Sequence, residues 1–137
     1  MIGKLLGIDH GLKRIGIAVS DATGIVAREL AIIHRTSNVE DFRRINQLAQ
    51  EQRVVAIVVG MPVNSEAAPG EYTQGDTVRK WITRFAATTT LPIITWDEQL
   101  SSLDARELSI QKKRKMRDPI DDLAARVILQ SYLDAVQ

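Results

Sequence analysis

Cysteine is absent from the 137-residue chain, so neither disulfide staples nor thiolate metal ligands are available. A reducing compartment is compatible with that absence. No run of roughly 18 apolar residues occurs, which leaves no candidate for a membrane-spanning helix. The apolar fraction, 45%, is that of an ordinary soluble globule. Only Lys4 precedes a short strand-like stretch that runs into Asp9 and Gly11, a poor secretory signal; the expected location is the cytoplasm, with no membrane partner. The chain also lacks the length for two sizeable cores, so one domain over 1–137 is expected. Net charge is nearly absent too. The +1 from 18 basic and 17 acidic side chains says little as a total.

The distribution of charge says more. Lys112, Lys113, Arg114, Lys115 and Arg117 make five of six consecutive residues basic, while acids gather at Asp97, Glu98, Asp104 and Glu107 and again from Asp118 to Asp122. Basic groups beside acidic ones suit a protein that attracts a polyanion and holds a cation. A solvated loop between two helices accounts for the basic run equally simply.

Leu5 to Asp9 reads as a buried strand ending in a carboxylate, and Ile15 to Ser20 as its hairpin partner across Gly11. A third strand from about Ile25 to Ile33 follows the turn at Asp21 to Gly24. Ser37 and Glu40 have capping-box spacing before the stripe Val39, Phe42, Ile45 and Leu48-Ala49, which marks a helix. Val54 to Val59 is a continuous apolar run, as expected of a central parallel strand covered on both faces. Asn64 to Gly75 reads as a loop; Val78, Trp81, Ile82 and Phe85 mark a second helix. Leu91 to Thr95 makes a strand that delivers Trp96, Asp97 and Glu98, followed by a short helix from Ser101 to about Ile110 and a last helix. The order β-β-β-α-β-α-β-α-α predicts the α/β class, a mixed five-stranded sheet with helices packed against it.

Asp9 and Glu98 fall at the carboxyl ends of strands, where open α/β sheets place ligands. Asp118-Pro119-Ile120-Asp121 looks like a helix start, with Asp118 as cap and Pro119 at the first position. At about 100° per residue, Asp122, Arg126, Gln130 and Asp134 form a polar sector. Asp121 instead projects with Ala124, Ala125, Ile128 and Tyr132 toward the sheet. An ionised carboxylate there is costly unless paired, capped or bound to metal. Either it accepts first-turn N–H bonds, or it joins Asp9 and Glu98 as a hard oxygen shell for Mg²⁺ or Mn²⁺. Two such ions roughly 4 Å apart activate a water and stabilise the departing oxygen in phosphodiester hydrolysis. That chemistry needs no histidine, so His10 and His34 read as structural or surface residues, with His10 placed to touch substrate.

Gly7-Ile8-Asp9-His10-Gly11 with Lys13 to Asp21, Val58-Val59-Gly60-Met61-Pro62 with Asn64, Trp96-Asp97-Glu98, and Asp121 with Ala124-Ala125 and Ile128 to Leu133 resemble the YqgF-type, Holliday-junction-resolvase-like proteins. Four motifs in order cover nearly the whole chain. The resemblance implies an RNase H-like fold and a metal-dependent nuclease that matures the 5′ end of 16S rRNA. Its three acids fall on Asp9, Glu98 and Asp121, each both catalytic and metal-ligating. Implied partners are precursor 16S rRNA or a pre-ribosomal particle, or branched DNA, with the protein a monomer or homodimer. The chain departs from the pattern at Gln99, where an arginine is common, in the loop after Asn64, and at Asp118-Pro119.

Lys13, Arg14, Lys112, Lys113, Arg114, Lys115 and Arg117 are candidate phosphate contacts, Arg79 and Lys80 weaker ones that a solvated helix face also explains. Trp96 either stacks on a base or packs behind the acids. Two other functions fit the same residues. One is Holliday-junction resolution, which calls for a symmetric dimer. The other is a non-catalytic RNA-binding or ribosome-associated module in which the acids only cap structure.

Overall fold

The computed structural model describes residues 3–62, 73–98, 110, 112 and 119–137. Strand β1 (Leu5–His10) is covered on both faces: Leu6 and Ile8 join one apolar cluster and Leu5 another. It is the middle of a five-stranded sheet ordered β3-β2-β1-β4-β5. β2 (Arg14–Ser20) and β3 (Ala27–His34) extend it antiparallel; β4 (Ala56–Pro62) and β5 (Ile93–Glu98) extend it parallel on the other side. Helices α1 (Asn38–Gln52) and α2 (Gln74–Ala86) cover one face and α3 (Asp121–Val136) the other. The expected mixed sheet with packed helices is thus present. The helix expected from Ser101 falls, but for Ile110, outside the described residues.

Several boundaries shift for identifiable reasons. Ile25 and Val26 are apolar but exposed, because the Asp21 carboxylate accepts both their N–H groups, at 2.8 and 3.0 Å, and holds them in the turn. The Thr23 hydroxyl first, then those N–H groups, keep the Asp21 carboxyl down near 2. β3 therefore starts at Ala27. Ser37 does cap α1, accepting from the Glu40 N–H at 3.2 Å, but the Glu40 carboxylate turns to Arg43 rather than closing a box. The complete capping box is at α2, between Thr73 and Asp76. Pro119 lies before α3, and its N-cap, Ile120, offers no side-chain bond, so the expected start at Asp118-Pro119 moves to Asp121.

The two faces are packed differently. Phe42, Trp81 and Phe85 fill the α1/α2 side, with Trp81 and Phe85 stacked at 5.5 Å. The α3 side is built from Ala18, Ala27, Ala56 and Ala125, with Gly7, Gly16 and Gly60 beneath the helix. A Cβ on Gly16 would lie 1.8 Å from the Asp121 carbonyl oxygen, and one on Gly7 2.8 Å from Leu129 Cβ. Backbone thus rests on backbone at the start of α3. Gly16→Ala should cost at least about 2 kcal/mol, because the obstructing atom is a main-chain carbonyl that cannot change rotamer. The urea midpoint is the measurement, and an unchanged midpoint would rule out this close approach.

Candidate active site

Period two along β1 sends Asp9 to the side opposite Ile8, which is the α3 side. Its cross-strand partner is Gly16. Residues opposite one another in an antiparallel pair present their side chains to the same face, and the missing side chain of Gly16 is replaced by the backbone of Asp121. Asp9 and the first residue of α3 therefore share one corner of the sheet, at the carboxyl end of β1.

Asp121 is neither enclosed nor alone. Arg14 Nε donates to its Oδ2 at 2.9 Å, with side-chain exposures of 39% and 20%. Arg14, a predicted phosphate contact, is thus partnered within the chain. A pair this open contributes little stability, up to about 1 kcal/mol. Asp122, expected on the outer face, is the more buried acid at 7%, and it is the one that bonds a first-turn N–H, that of Leu123 at 2.9 Å.

Much of the expected polar sector lies against β3 and the turn before it, while Asp134 at its end is exposed. Gln130 accepts from the Ala27 N–H at 2.9 Å and donates to the Ile25 carbonyl at 2.8 Å. Arg126 reaches Glu29 on β3 at 3.6 Å, and Lys112 Nζ lies 3.7 Å from the same carboxylate. Glu29 was missed as a charged anchor. Its signal was an acid inside the apolar stretch Ala27 to Ile33.

Glu98 is the last residue of β5 and the register partner of Pro62, two strands from Asp9; its side chain lies outside the described residues. Among the described residues no group of three His, Cys, Asp or Glu is gathered to hold a metal. Asp97 is exposed beside it. Trp96 packs in place: its indole donates to Ser131 Oγ at 3.2 Å and its ring meets Tyr132 edge-on at 5.4 Å. Lys13 is exposed in the β1–β2 turn; Lys113, Arg114, Lys115 and Arg117 lie outside the described residues. A cavity of about 620 Å³ lies by Val54 and Leu91 at the amino ends of β4 and β5, lined by no described carboxylate and far from the strand ends that place ligands.

His10 turns to the other face. Its ring lies 4.8 Å from that of Trp81, and Arg35 Nη1 donates to its Nε2 at 3.2 Å. Burial, then the Arg35 charge, push its pKa down to about 4. The unfolded chain binds that proton near 6.5 and the folded one only near 4, so stability falls as pH drops through this window. The urea midpoint should fall between pH 7 and 4, and fall less in His10→Gln. Identical slopes would remove His10 as the source.

An antiparallel hairpin extended to three strands, two parallel strands and helices on both faces define an RNase H-like α/β protein, with acids at the strand ends and helix start. The chain belongs to the RuvX family: the family model described as Holliday junction resolvase matches residues 3–135. A Thermoanaerobacter pseudethanolicus protein called "Putative pre-16S rRNA nuclease" is 40% identical over 136 residues, 96% of each chain. A Desulforamulus reducens protein of the same name is 40% identical over 135 residues, covering 96% of this chain and 97% of its own. In structure, the Thermus thermophilus RuvC complexed with Holliday junction substrate aligns with a TM-score of 0.60 at 16% identity, over 98% and 95% of the two chains. The fowlpox virus resolvase in its junction DNA complex gives 0.59 at 15%, over 99% of each. Identities this low bear on the fold alone.

Proposed function

We propose that this chain is a divalent-metal-dependent nuclease that hydrolyses RNA phosphodiesters in maturation of the 16S rRNA 5′ end, acting in the cytoplasm. The observation that carries the reading is the seat of Asp121 on Gly16, the cross-strand partner of Asp9. A main-chain contact of Asp121 with the cross-strand partner of Asp9 supports a shared site at this strand end. The names of the curated relatives supply the RNA substrate class.

The donors fit a hard cation. Both are carboxylates, and Asp121 already takes a positive group, the Arg14 guanidinium, at 2.9 Å. Glu98, at the end of β5, is proposed as the third ligand. The chemistry that Mg²⁺ or Mn²⁺ supplies in such a shell is activation of a water and neutralisation of charge on the departing oxygen. Asp9 and Asp121 fix where positive charge is held, while Lys13, Lys112, Lys113, Arg114, Lys115 and Arg117 hold backbone phosphates and set the salt dependence. Arg14 has a double role in this reading: it neutralises Asp121 in the free protein and turns to the substrate phosphate once that carboxylate is engaged.

A second reading, cleavage of branched DNA by a homodimer, is favoured by the description of the matched family. A time course on short precursor-rRNA and four-way-junction substrates with Mg²⁺ or Mn²⁺ separates the two. Asp9→Asn should lose more than 100-fold of the metal-dependent rate, beyond the range for outer-shell partners, while keeping its fold and RNA affinity. Glu98→Gln and Asp121→Asn should behave likewise. Normal cleavage by Asp121→Asn would sink the ligand assignment, and RNA binding without turnover in the wild type would leave only a binding module.

A further inference from the structure

A cleft of about 170 Å³ opens on the α1/α2 face, at the same end of the sheet as Asp9. Its walls include His10 from β1, Arg35 and Asn38 at the start of α1, and Lys80, Trp81 and Arg84 along α2. No carboxylate among the described residues lines it. Water occupies about 30 Å³ per molecule, so the space suits a small oxyanion.

Arg35 is a fixed wall. Its Nε donates to Asp41 at 3.3 Å, Nη2 to Asn38 Oδ1 at 2.9 Å, and Nη1 to the Gly11 carbonyl at 3.1 Å as well as to His10. Asp41, the acid nearest to it, is 1% exposed and matched by that guanidinium. Arg79 pairs with Asp76 at 3.2 Å, and the Lys80 charge acts on the same carboxylate. Lys80 and Arg84 are one turn apart on α2 and exposed at the mouth. Behind them Trp81, 4% exposed, carries a buried indole N–H that has no acceptor among the described residues. A buried donor without an acceptor is rare in a folded protein, and Trp81 is part of the wall of this cleft.

We propose that this cleft is a phosphate-binding site for the substrate strand, taking a phosphodiester remote from the bond that is cut. The proposal rests on the nuclease reading and extends it to a second subsite. Lys80 and Arg84 supply the charge, and the Trp81 N–H is the donor at the back. Asp9 and His10 are consecutive, about 3.8 Å apart at Cα, and face opposite sides of the sheet. A strand held in the cleft therefore crosses the sheet's end at Gly11 to reach the acids.

The test is a binding measurement on the Asp9→Asn protein with a short single-stranded oligoribonucleotide over a salt series. Lys80→Ala with Arg84→Ala should weaken binding roughly tenfold and flatten the plot of log K against log salt by about 0.7 for the phosphate lost. Both residues are exposed, so the melting temperature should not move. The chain has two tryptophans, hence two indole N–H resonances. Adding the oligonucleotide should shift the one that Trp81→Phe removes, and inorganic phosphate should shift the same resonance at higher concentration. An unchanged slope in the double variant overturns the proposal. So does a Trp81 resonance that answers to inorganic phosphate but not to RNA, or to neither. Cleavage by the wild type is scored separately: turnover with an unchanged slope refutes the cleft and leaves the nuclease reading standing. Slope and shift as expected without turnover refute catalysis and leave the cleft in place.

Discussion

The direct contact between the start of α3 and Gly16, the third residue of β2, fixes much else in the molecule. A carbonyl oxygen lying where the Gly16 side chain would be cannot be accommodated by any residue with a Cβ, and the nearest heavy atoms are all main chain. Gly7 and Gly60 continue the contact across β1 and β4, under Leu129 and Ile128. With alanines filling the spaces between, the helix lies low on this face, and its first turn is brought to the end of β1. On the opposite face Phe42, Trp81 and Phe85 make a thick layer. One side of the sheet is thus packed for volume and the other for proximity. Proximity is what lets a residue from a helix and one from a strand act on the same atom.

A low-lying helix also limits how charge can be handled. Carboxylates drawn toward a sheet lose hydration, and each must find donors or a cation. Asp121 takes Arg14, Asp122 the Leu123 N–H, and Glu29 the pair Lys112 and Arg126. On the other face the buried Asp41 takes Arg35. Strand parity at the end of β1 then separates two chemistries by one residue: Asp9 belongs to the acidic side and His10 to a side lined by Arg35, Lys80 and Arg84.

The sheet was legible because its signals are local. A continuous apolar run for β4 and a run ending in a carboxylate for β1 depend on few neighbours. The start of β3 was misread because Ile25 and Val26 look like strand, and the Asp21 turn that exposes them is written four and five residues earlier. The orientation of α3 was half legible. Its apolar residues placed it against the sheet, but a helical wheel cannot distinguish a polar sector facing water from one hydrogen-bonded to β3, as Gln130 is. That is why Asp122 was assigned to solvent and is buried. Of the proposed acids, Asp9 pairs with Gly16 in the register, and the Asp121 backbone lies on that glycine. Arg35 was invisible as a hub, since its four partners become neighbours only when β1, the β1–β2 turn and α1 meet.

Net charge constrains how such a surface can meet a polyanion. At +1 the chain has almost no long-range field, so attraction must come from local clusters acting within a Debye length of roughly 8–10 Å. Cations mixed evenly with the acids would cancel there. Asp9 on the α3 side is separated by strand β1 from Lys80 and Arg84 on the α2 side, while each face also holds ion pairs of its own, Arg14 with Asp121 and Arg79 with Asp76. The sheet is then more than a scaffold. Because its two faces are only a residue apart at Asp9 and His10, it keeps these two side chains adjacent in sequence yet on opposite sides.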